Sequence, residues 1–439
     1  MSEPEDNSPI QSPMRRVMGN FGFLARGKGI AAAMAFAATA LMARSLGPAE
    51  FGLVVLIQAY TMLMRGLLNF QPFEAIVRYG VPIFDAKDHH ALHRLIKVGR
   101  YVDRYASLTA TALAFIAAPL IGPSMGMDRD HVVLLTAYSL VLLSSGNGTA
   151  TGILRLLDQF DALGRQMVIG PTIRFFGIVI AWYYNSPISV FVVILAFAYV
   201  TENLYLSWRG LHEYRQKIGL PREDEDINNV SLTEFPGLRH FLWVTYWQSN
   251  IDLAYKYLSV ILTGYLLGPI EAGLLRLARE LSSVLSKPAA LIRQVVFLDL
   301  TRSWHQGSDS FELITYRTSL FSGGLGILFV VVGYFFGEKL LATLIGKEFV
   351  AAAPVLILML LAASFDLAVS SLRAAAYAIG HAAKVLGINA VTTVIYMILF
   401  VVLTSKMGLI GAGVAACVAA ALPLLAMIAL IHKSQRPVP

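Results

Sequence analysis

Long apolar stretches alternate with short polar breaks along almost the whole chain. Each stretch approaches the roughly 20 residues that a helix needs to cross a bilayer, and the period-two alternation of a membrane barrel is absent. We therefore predict an all-α polytopic membrane protein with about 12 transmembrane helices. The predicted spans are residues 27–45, 50–70, 105–122, 131–152, 166–184, 188–208, 241–266, 272–293, 318–336, 350–371, 385–403 and 408–431.

One polar break occurs twice. The segment RSLGPAEFGLVVL, Arg44 to Leu56, returns 221 residues later within GYLLGPIEAGLLRL, Gly264 to Leu277. In such a break Gly can end one helix, Pro suits the first position of the next, and Glu complements that helix's positive end. We interpret both copies as structural helix corners, formed by Gly47, Pro48, Glu50 and Gly52 and by Gly268, Pro269, Glu271 and Gly273.

The basic residues indicate the orientation in the membrane. Successive polar segments lie on alternate sides of the membrane, so they form two sets. The set that includes both termini contains 24 Lys and Arg, and the other set contains five, when residues at span ends are counted with the adjoining polar segment. Basic residues favour the cytoplasmic side, so we predict that both termini are cytoplasmic and both Gly-Pro corners lie outside. Six spans separate the corners, so the two halves enter the membrane in the same sense.

This repeat predicts two six-helix lobes related by a pseudo-twofold axis along the membrane normal, with a central cavity between them. The predicted segments are a disordered tail (1–13), an N-terminal lobe (14–208), a cytoplasmic linker (209–240), a C-terminal lobe (241–431) and a short tail (432–439). The acidic start of the chain differs from a cleaved signal peptide, so the first span is expected to remain in the mature protein.

Composition agrees with a membrane protein. Of 439 residues, 56% are apolar and 14% are charged, and the mean hydropathy is +0.63. The net charge of +7 does not indicate a nucleic-acid partner, because membrane proteins carry Lys and Arg on cytoplasmic loops. The single cysteine, Cys417, excludes an intrachain disulfide, and we predict neither a metal site nor a cofactor.

Ionisable residues inside the predicted spans mark an interior surface, because a charge facing lipid is costly. Asp252 and Lys256, and likewise Arg276 and Glu280, are four residues apart on one helix face, so each pair can neutralise itself. The cations outnumber the anions by two, which favours a cavity that attracts an anion. The ten residues are Arg65, Arg174, Lys256, Arg276, Arg279, Lys287, Glu202, Asp252, Glu280 and Asp366.

Several chemistries are poorly supported. No phosphate-binding Gly-rich loop with Lys is present, so ATP is not the expected driver. The predicted outer breaks are short and carry few carboxylates, which argues against catalysis at that face. The motif HHxxH, with His89, His90 and His93, is interpreted as part of a surface helix, since no carboxylate or cysteine completes a metal site.

The first eighty residues resemble the polysaccharide translocases, the Wzx-type flippases of the multidrug/oligosaccharidyl-lipid/polysaccharide exporter superfamily. The likeness lies in ALMARSLGPAEFG at the end of the first span and in EAIVRYG, Glu74 to Gly80, after the second. It implies two six-helix lobes around a cavity. It also implies alternating access that moves an undecaprenyl-diphosphate-linked oligosaccharide from the cytoplasmic to the outer leaflet of the bacterial inner membrane.

The resemblance implies membrane lipids and a lipid-linked oligosaccharide as partners, with a polymerase and other assembly proteins of a lipopolysaccharide or exopolysaccharide pathway as further candidates. Only the corner motif transfers residue by residue. From charge and depth we predict substrate binding by Arg65, Arg174, Lys256, Arg276 and Arg279, with Arg78 at the cytoplasmic mouth. Candidates for ion coupling are Glu202, Asp252 and Asp366.

Two alternatives remain open at the level of sequence. A drug or organic-cation antiporter of the same superfamily would need an acidic, aromatic-lined cavity, which the cationic excess opposes. A membrane glycosyltransferase or O-antigen polymerase would present a larger acidic surface outside. We expect a transporter without catalytic residues.

Overall fold

The structure, a computed structural model, describes residues 13–219, 234–283 and 310–434, and these residues are almost entirely helical. The helices before residue 220 are α1 (Pro13–Leu67), α2 (Pro72–Asp85), α3 (His89–Ile121), α4 (Arg129–Ser139), α5 (Gly148–Leu156), α6 (Phe160–Tyr183) and α7 (Ile188–Lys217). Those after residue 233 are α8 (Leu238–Leu253), α9 (Ser259–Leu266), α10 (Pro269–Ser282), α11 (Ser310–Leu344), α12 (Ala353–Ala378), α13 (Ala382–Met407) and α14 (Leu409–Ser434).

Within these ranges, nine helices are long and apolar enough to cross a membrane. The first, Gly29–Leu67, covers two of the predicted spans. The spans predicted at 241–266 and 272–293 are not among the nine. A π-helical turn interrupts the first, and the second runs beyond the described residues. The all-helical multi-pass class is confirmed, and the count of twelve stays a prediction.

The chain forms two compact units, each built from several segments. Unit 1 comprises Met1–Thr39, Leu67–Leu113 and Tyr138–Trp247, and unit 2 comprises Ala40–Gly66, Ala114–Ala137 and Gln248–Pro439. The predicted tails, 1–13 and 432–439, fall largely outside the described residues. Of the predicted linker, 209–240, residues 220–233 fall outside them, whereas α7 continues to Lys217 and α8 begins at Leu238. The predicted lobes therefore remain a prediction.

In unit 1, the helix predicted over residues 131–152 is interrupted. Helix α4 gives way to a 3₁₀ segment at Leu140–Ser144, and α5 begins only at Gly148. A side chain at Gly146 or Gly148 would press against Asp103. A Cβ on Gly146 would lie 3.0 Å from the Asp103 backbone oxygen, and a Cβ on Gly148 would lie 2.9 Å from the Asp103 carboxylate. The small residues of SSGNGT therefore serve both a helix break and close packing.

In unit 2, α12 is the central helix and packs against α10, α11 and α14, while α13 packs along α14. The core between α11, α12, α13 and α14 includes Phe311, Val369, Leu372, Val385 and Met427, each at most 3% exposed. Cys417 lies within α14, and its thiol donates to the Leu358 carbonyl at 3.0 Å. This placement agrees with the packing role that its apolar surroundings indicated.

Both Gly-Pro corners have the predicted local structure. Gly47 interrupts α1 with φ 71° and ψ 174°, and Gly268 precedes α10 with φ 108° and ψ 176°. Positive φ of this kind strains any residue with a Cβ, so Gly is required at both positions. Pro269 occupies the first turn of α10 together with Glu271, as helix-start chemistry predicts.

The two corners pack against each other inside unit 2. Gly52 lies so close to Pro269 that a methyl group on Gly52 would collide with the Pro269 carbonyl. A Cβ on Gly273 would come within 3.1 Å of the Gly52 Cα. The helices that follow the two corners therefore meet backbone to backbone, which only glycine permits.

Each corner also contacts a short 3₁₀ segment from the other half of the chain. A Cβ on Gly126, which follows the segment Pro123–Met125, would lie 3.2 Å from Pro269. The second segment, Lys347–Ala352, lies beside the first corner, where the rings of Phe51 and Phe349 meet edge to face at 5.8 Å. Each corner thus packs against a 3₁₀ segment from the half of the chain that does not contain it.

Candidate functional site

The most fully built group of predicted site residues lies in unit 2, around Arg279. This guanidinium donates from Nη1 to Ser259 Oγ at 2.5 Å and to the Lys256 carbonyl at 3.1 Å, and from Nη2 to Tyr396 Oη at 2.6 Å. Ser259 and Tyr396 are both fully buried. Arg279 therefore ties α10 to α9 and α13, partners that spacing within its own helix could not reveal.

Lys256 lies in a π-helical turn, Ala254–Leu258, between α8 and α9. Such a turn widens the helix and disturbs its regular hydrogen bonding, and it is often found at functional sites. The Lys256 carbonyl accepts from Arg279, whereas its side chain is exposed and its Nζ lies 5.1 Å from the Tyr257 ring centroid. The turn thus presents an ammonium group at the surface of unit 2.

Arg276 and Glu280 form the predicted neutralising pair on α10. Arg276 Nε lies 3.5 Å from Glu280 Oε2, and the two side chains are 34% and 20% exposed. The corresponding prediction for Asp252 and Lys256 lies outside the described residues, because the Asp252 side chain is not described. Lys287 also lies outside them.

Two further candidates in unit 2 are accessible. Arg65 lies in the last turn of α1 and is half-buried. Asp366 is exposed on α12, and Arg373 follows it two turns further along the same helix. Asp366 and Arg373 thus place an acidic and a basic group on α12, in the same unit as Lys256.

In unit 1, Arg174 and Glu202 form an ion pair between α6 and α7. Arg174 Nη2 lies 3.5 Å from Glu202 Oε2, and Gln166 Nε2 donates to Glu202 Oε1 at 2.5 Å. Gly170 lies between Gln166 and Arg174 on this stripe of α6, and a methyl group there would collide with the Glu202 carboxylate. The carboxylate therefore occupies a notch that glycine leaves open.

Arg78 in unit 1 is held by aromatic rings. Its guanidinium carbon lies 4.6 Å from the Phe241 ring centroid and 5.8 Å from that of Tyr79. A guanidinium over an aromatic face keeps its hydrogen-bond donors available. Of the predicted cations, Arg78 and Arg174 belong to unit 1, whereas Arg65, Lys256, Arg276 and Arg279 belong to unit 2.

A buried polar cluster in unit 1 escaped the sequence analysis. Asp103 accepts from the Thr149 backbone N–H at 2.6 Å, at the first turn of α5, and Asn147 donates to Asn203. All four residues are at most 8% exposed. Asp103 stabilises a helix start that arises only because α4 breaks, and the run of small polar residues SSGNGT, Ser144 to Thr149, is the sequence signal from which the break could have been found.

The HHxxH segment forms the start of α3, as expected, but one of its histidines is not at the surface. His93 is 4% exposed, and its Nδ1 lies 2.5 Å from Tyr214 Oη on α7. His93 therefore packs between helices. Across the ranges that the structure describes, no group of histidine, cysteine and acidic residues could hold a metal ion.

The comparisons with known proteins agree with this architecture. The inner membrane protein YghQ of Escherichia coli K12 is 25% identical over 352 residues, which cover 77% of this chain and 95% of YghQ. The lipid II flippase MurJ in an inward closed conformation superposes with a TM-score of 0.74 at 13% identity, over 93% of this chain and 87% of MurJ.

A multidrug resistance MATE family transporter of the MOP superfamily, in an inward-facing conformation, superposes with a TM-score of 0.69 at 15% identity, over 93% of this chain and 96% of the transporter. The fold is therefore shared with transporters of that superfamily. The family model described as polysaccharide biosynthesis protein matches residues 17–297, well over half of the chain. The chain belongs to the polysaccharide biosynthesis protein family.

Proposed function

We propose that this chain is a flippase that moves an undecaprenyl-diphosphate-linked oligosaccharide from the cytoplasmic to the outer leaflet of the bacterial inner membrane. The family, the transporter fold and the multi-pass character support this function. The product would supply the synthesis of a surface polysaccharide.

The observation that carries the proposal is the exposed ammonium of Lys256, on a turn whose backbone carbonyl accepts a hydrogen bond from Arg279. A diphosphate is the charged part of the substrate, and hydrogen bonds from a cation to phosphate oxygens are among the strongest in proteins. Arg276 is neutralised within its own helix by Glu280.

In the proposed cycle the two repeats enclose a central cavity that opens alternately to the two sides of the membrane, with both termini on the cytoplasmic side. The diphosphate and sugars occupy the cavity while the polyprenyl chain stays in lipid. An ion gradient would act through Glu202, which is paired with Arg174, and through Asp366, which is exposed on α12.

Reconstituted vesicles provide the test. The full chain, placed in liposomes with a fluorescent polyprenyl-diphosphate oligosaccharide, is expected to move the lipid to the opposite leaflet faster than protein-free liposomes. Lys256→Ala is expected to slow this movement about tenfold, since a cation-to-phosphate hydrogen bond contributes roughly 1.5–3 kcal/mol. Lys339→Ala, at an exposed lysine of α11, is the matched control.

The outcomes separate the proposal from its rivals. Movement of the lipid at wild-type rate by Lys256→Ala would reject the cationic site. Gradient-driven uptake of an organic cation, with no movement of the lipid, would instead identify an antiporter, a function that the likeness to a multidrug transporter keeps under test.

A further inference from the structure

We propose that Arg279 is a positioning residue that, together with Tyr396 and Ser259, holds the π-helical turn in the shape that directs Lys256 toward the anionic group of the substrate. This inference rests on the proposed function, because it assigns the anion contact to Lys256. It changes the role expected for Arg279 from the sequence, which was to bind the substrate itself.

The first argument is the occupancy of the Arg279 donors. One terminal nitrogen of the guanidinium is engaged by Ser259 Oγ and the Lys256 carbonyl, and the other by Tyr396 Oη. Because both hydroxyl groups belong to fully buried residues, the guanidinium is fixed by the protein interior. Three of the five N–H donors of Arg279 are thus engaged within the protein, which fixes the orientation of the guanidinium.

The second argument concerns the turn itself. In a π-helical turn the backbone is displaced from the regular helix, so a carbonyl there benefits from a donor outside its own helix. The Lys256 carbonyl receives that donor from Arg279 at 3.1 Å. The residue whose backbone is held is therefore the residue whose side chain is exposed.

The third argument is the reach of Tyr396. It lies on α13, 117 residues from Arg279 in sequence, and its ring is fully buried beside Phe400 at 5.5 Å between centroids. Its hydroxyl group thus connects α13, through Arg279, to the π-helical turn. Movement of α13 relative to α10 would shift Lys256 through this connection.

Variants that keep the positive charge distinguish two roles for Arg279: a clamp, which holds the π-helical turn in place, and a residue that binds the anion itself. If Arg279 bound the anion, Arg279→Lys would keep much of the affinity. A clamp needs the planar fork of donors, which an ammonium group does not provide, so Arg279→Lys is expected to fail. At position 256, where a point charge suffices, Lys256→Arg is expected to retain binding.

The experiment measures binding of farnesyl diphosphate, a short polyprenyl diphosphate, to the full chain in nanodiscs. Lys256→Ala and Arg279→Lys are each expected to weaken binding about tenfold, and Tyr396→Phe, which removes no charge, by about fivefold. On a Lys256→Ala background, Tyr396→Phe is expected to add nothing. Lys339→Ala is again the matched control.

A second readout does not depend on any ligand. A spin label attached at position 256, through Lys256→Cys in a Cys417→Ser background, reports the mobility of the turn. Tyr396→Phe and Arg279→Lys are expected to increase this mobility, whereas Lys339→Ala leaves it unchanged. Thermal unfolding of each variant shows whether it is folded.

The two readouts separate the possible failures. If the wild-type chain does not bind farnesyl diphosphate but the label becomes mobile in Tyr396→Phe, the clamp stands and the proposed substrate is wrong. If Arg279→Lys binds like the wild type, or if the label keeps its mobility in both variants, the clamp is rejected. Full additivity of Tyr396→Phe and Lys256→Ala in binding would also reject it.

Discussion

Gly52 and Gly273 lie in direct backbone contact where the helices following the two Gly-Pro corners cross. A Cβ on Gly273 would come within 3.1 Å of the Gly52 Cα. The two residues occupy equivalent positions of the repeated motif, so the repeat meets itself at this point. The contact is within unit 2, and it holds the first corner of the chain to the second.

Substitution of Gly52 by alanine is expected to loosen this contact. The added methyl group would collide with the Pro269 carbonyl, and backbone cannot move aside as a flexible side chain can. Overpacking of this kind costs about 1–3 kcal/mol. A cysteine introduced at the buried residue Ala272, in a Cys417→Ser background, should then react faster with a maleimide than in the parent chain.

Gly387→Ala is the control for this prediction. Gly387 lies within α13, and a methyl group added there would have no neighbouring atom within 4 Å. It should leave the labelling at position 272 unchanged. Equal labelling rates in Gly52→Ala and Gly387→Ala would contradict the close contact.

Loss of the Glu202 charge is expected to destabilise unit 1 through Arg174. Glu202→Gln leaves the partly buried guanidinium without the carboxylate 3.5 Å away. The two side chains are 31% and 22% exposed, so solvent screens the pair and the expected loss is about 1 kcal/mol. The melting temperature of the purified chain measures it.

The double variant Arg174→Gln/Glu202→Gln tests whether the loss arises from the unbalanced charge. It should be more stable than Glu202→Gln alone. Strict additivity of the two single changes would show that the side chains do not interact.

Gly170→Ala should also weaken the interaction of Glu202 with Arg174, because Gly170 lies against the Glu202 carboxylate. The methyl group would displace the Glu202 carboxylate from its notch and weaken its bond from Gln166. Because the carboxylate can rotate away, we expect a smaller loss of stability than for Glu202→Gln. Melting temperatures of Gly170→Ala and Gly387→Ala, compared directly, provide the measurement, and equal values would argue against the notch.

Asp103→Ala is expected to uncouple α5 from α3. It leaves the Thr149 N–H buried without its acceptor, which costs roughly 1–3 kcal/mol. Amide hydrogen exchange at the start of α5 should accelerate. Asp161→Ala, which breaks the exposed pair with Arg165, should leave exchange in α5 unaffected. Unaltered exchange in Asp103→Ala would show that the carboxylate does not stabilise this helix start.

The start of α4 is expected to loosen at acidic pH. Asp128 precedes the helix, and its pKa lies below the ordinary value of 3.8, chiefly because its carboxylate accepts the His131 backbone N–H. A lowered folded-state pKa stabilises the helix above the unfolded-state pKa, and the contribution disappears as the pH falls through the folded-state value. Hydrogen exchange at His131, corrected for its intrinsic pH dependence, measures this loss.

Asp128→Asn is the companion variant for that prediction. Its side chain still offers an oxygen to the helix start but does not titrate in this range. Protection at His131 should therefore become insensitive to acid. A wild-type chain that keeps full protection below the folded-state pKa would contradict the capping role.

The corners were predictable because local chemistry determines them. Gly at a positive φ, Pro in the first helical turn and Glu beside it satisfy requirements that lie within a few residues. The pairing of Arg276 with Glu280 was equally local, since residues four apart share a helix face. In these cases the sequence neighbour is also the spatial neighbour.

The partners of Arg279 and Arg174 were not predictable, because they come from other helices. Tyr396 is 117 residues from Arg279, and no spacing rule connects them. The exposed Lys256 also depended on a π-helical turn that hydrophobic periodicity does not indicate. Asp103 was overlooked because it precedes the predicted span, whereas α3 extends from His89 to Ile121.

The reciprocal contacts of the two corners resemble the interface of a symmetric dimer that has become intramolecular. In such an interface one surface of a subunit contacts the same surface of its twin, so each residue pair occurs twice. Here Gly52 contacts its own equivalent, Gly273, as a residue on the twofold axis of such a dimer does.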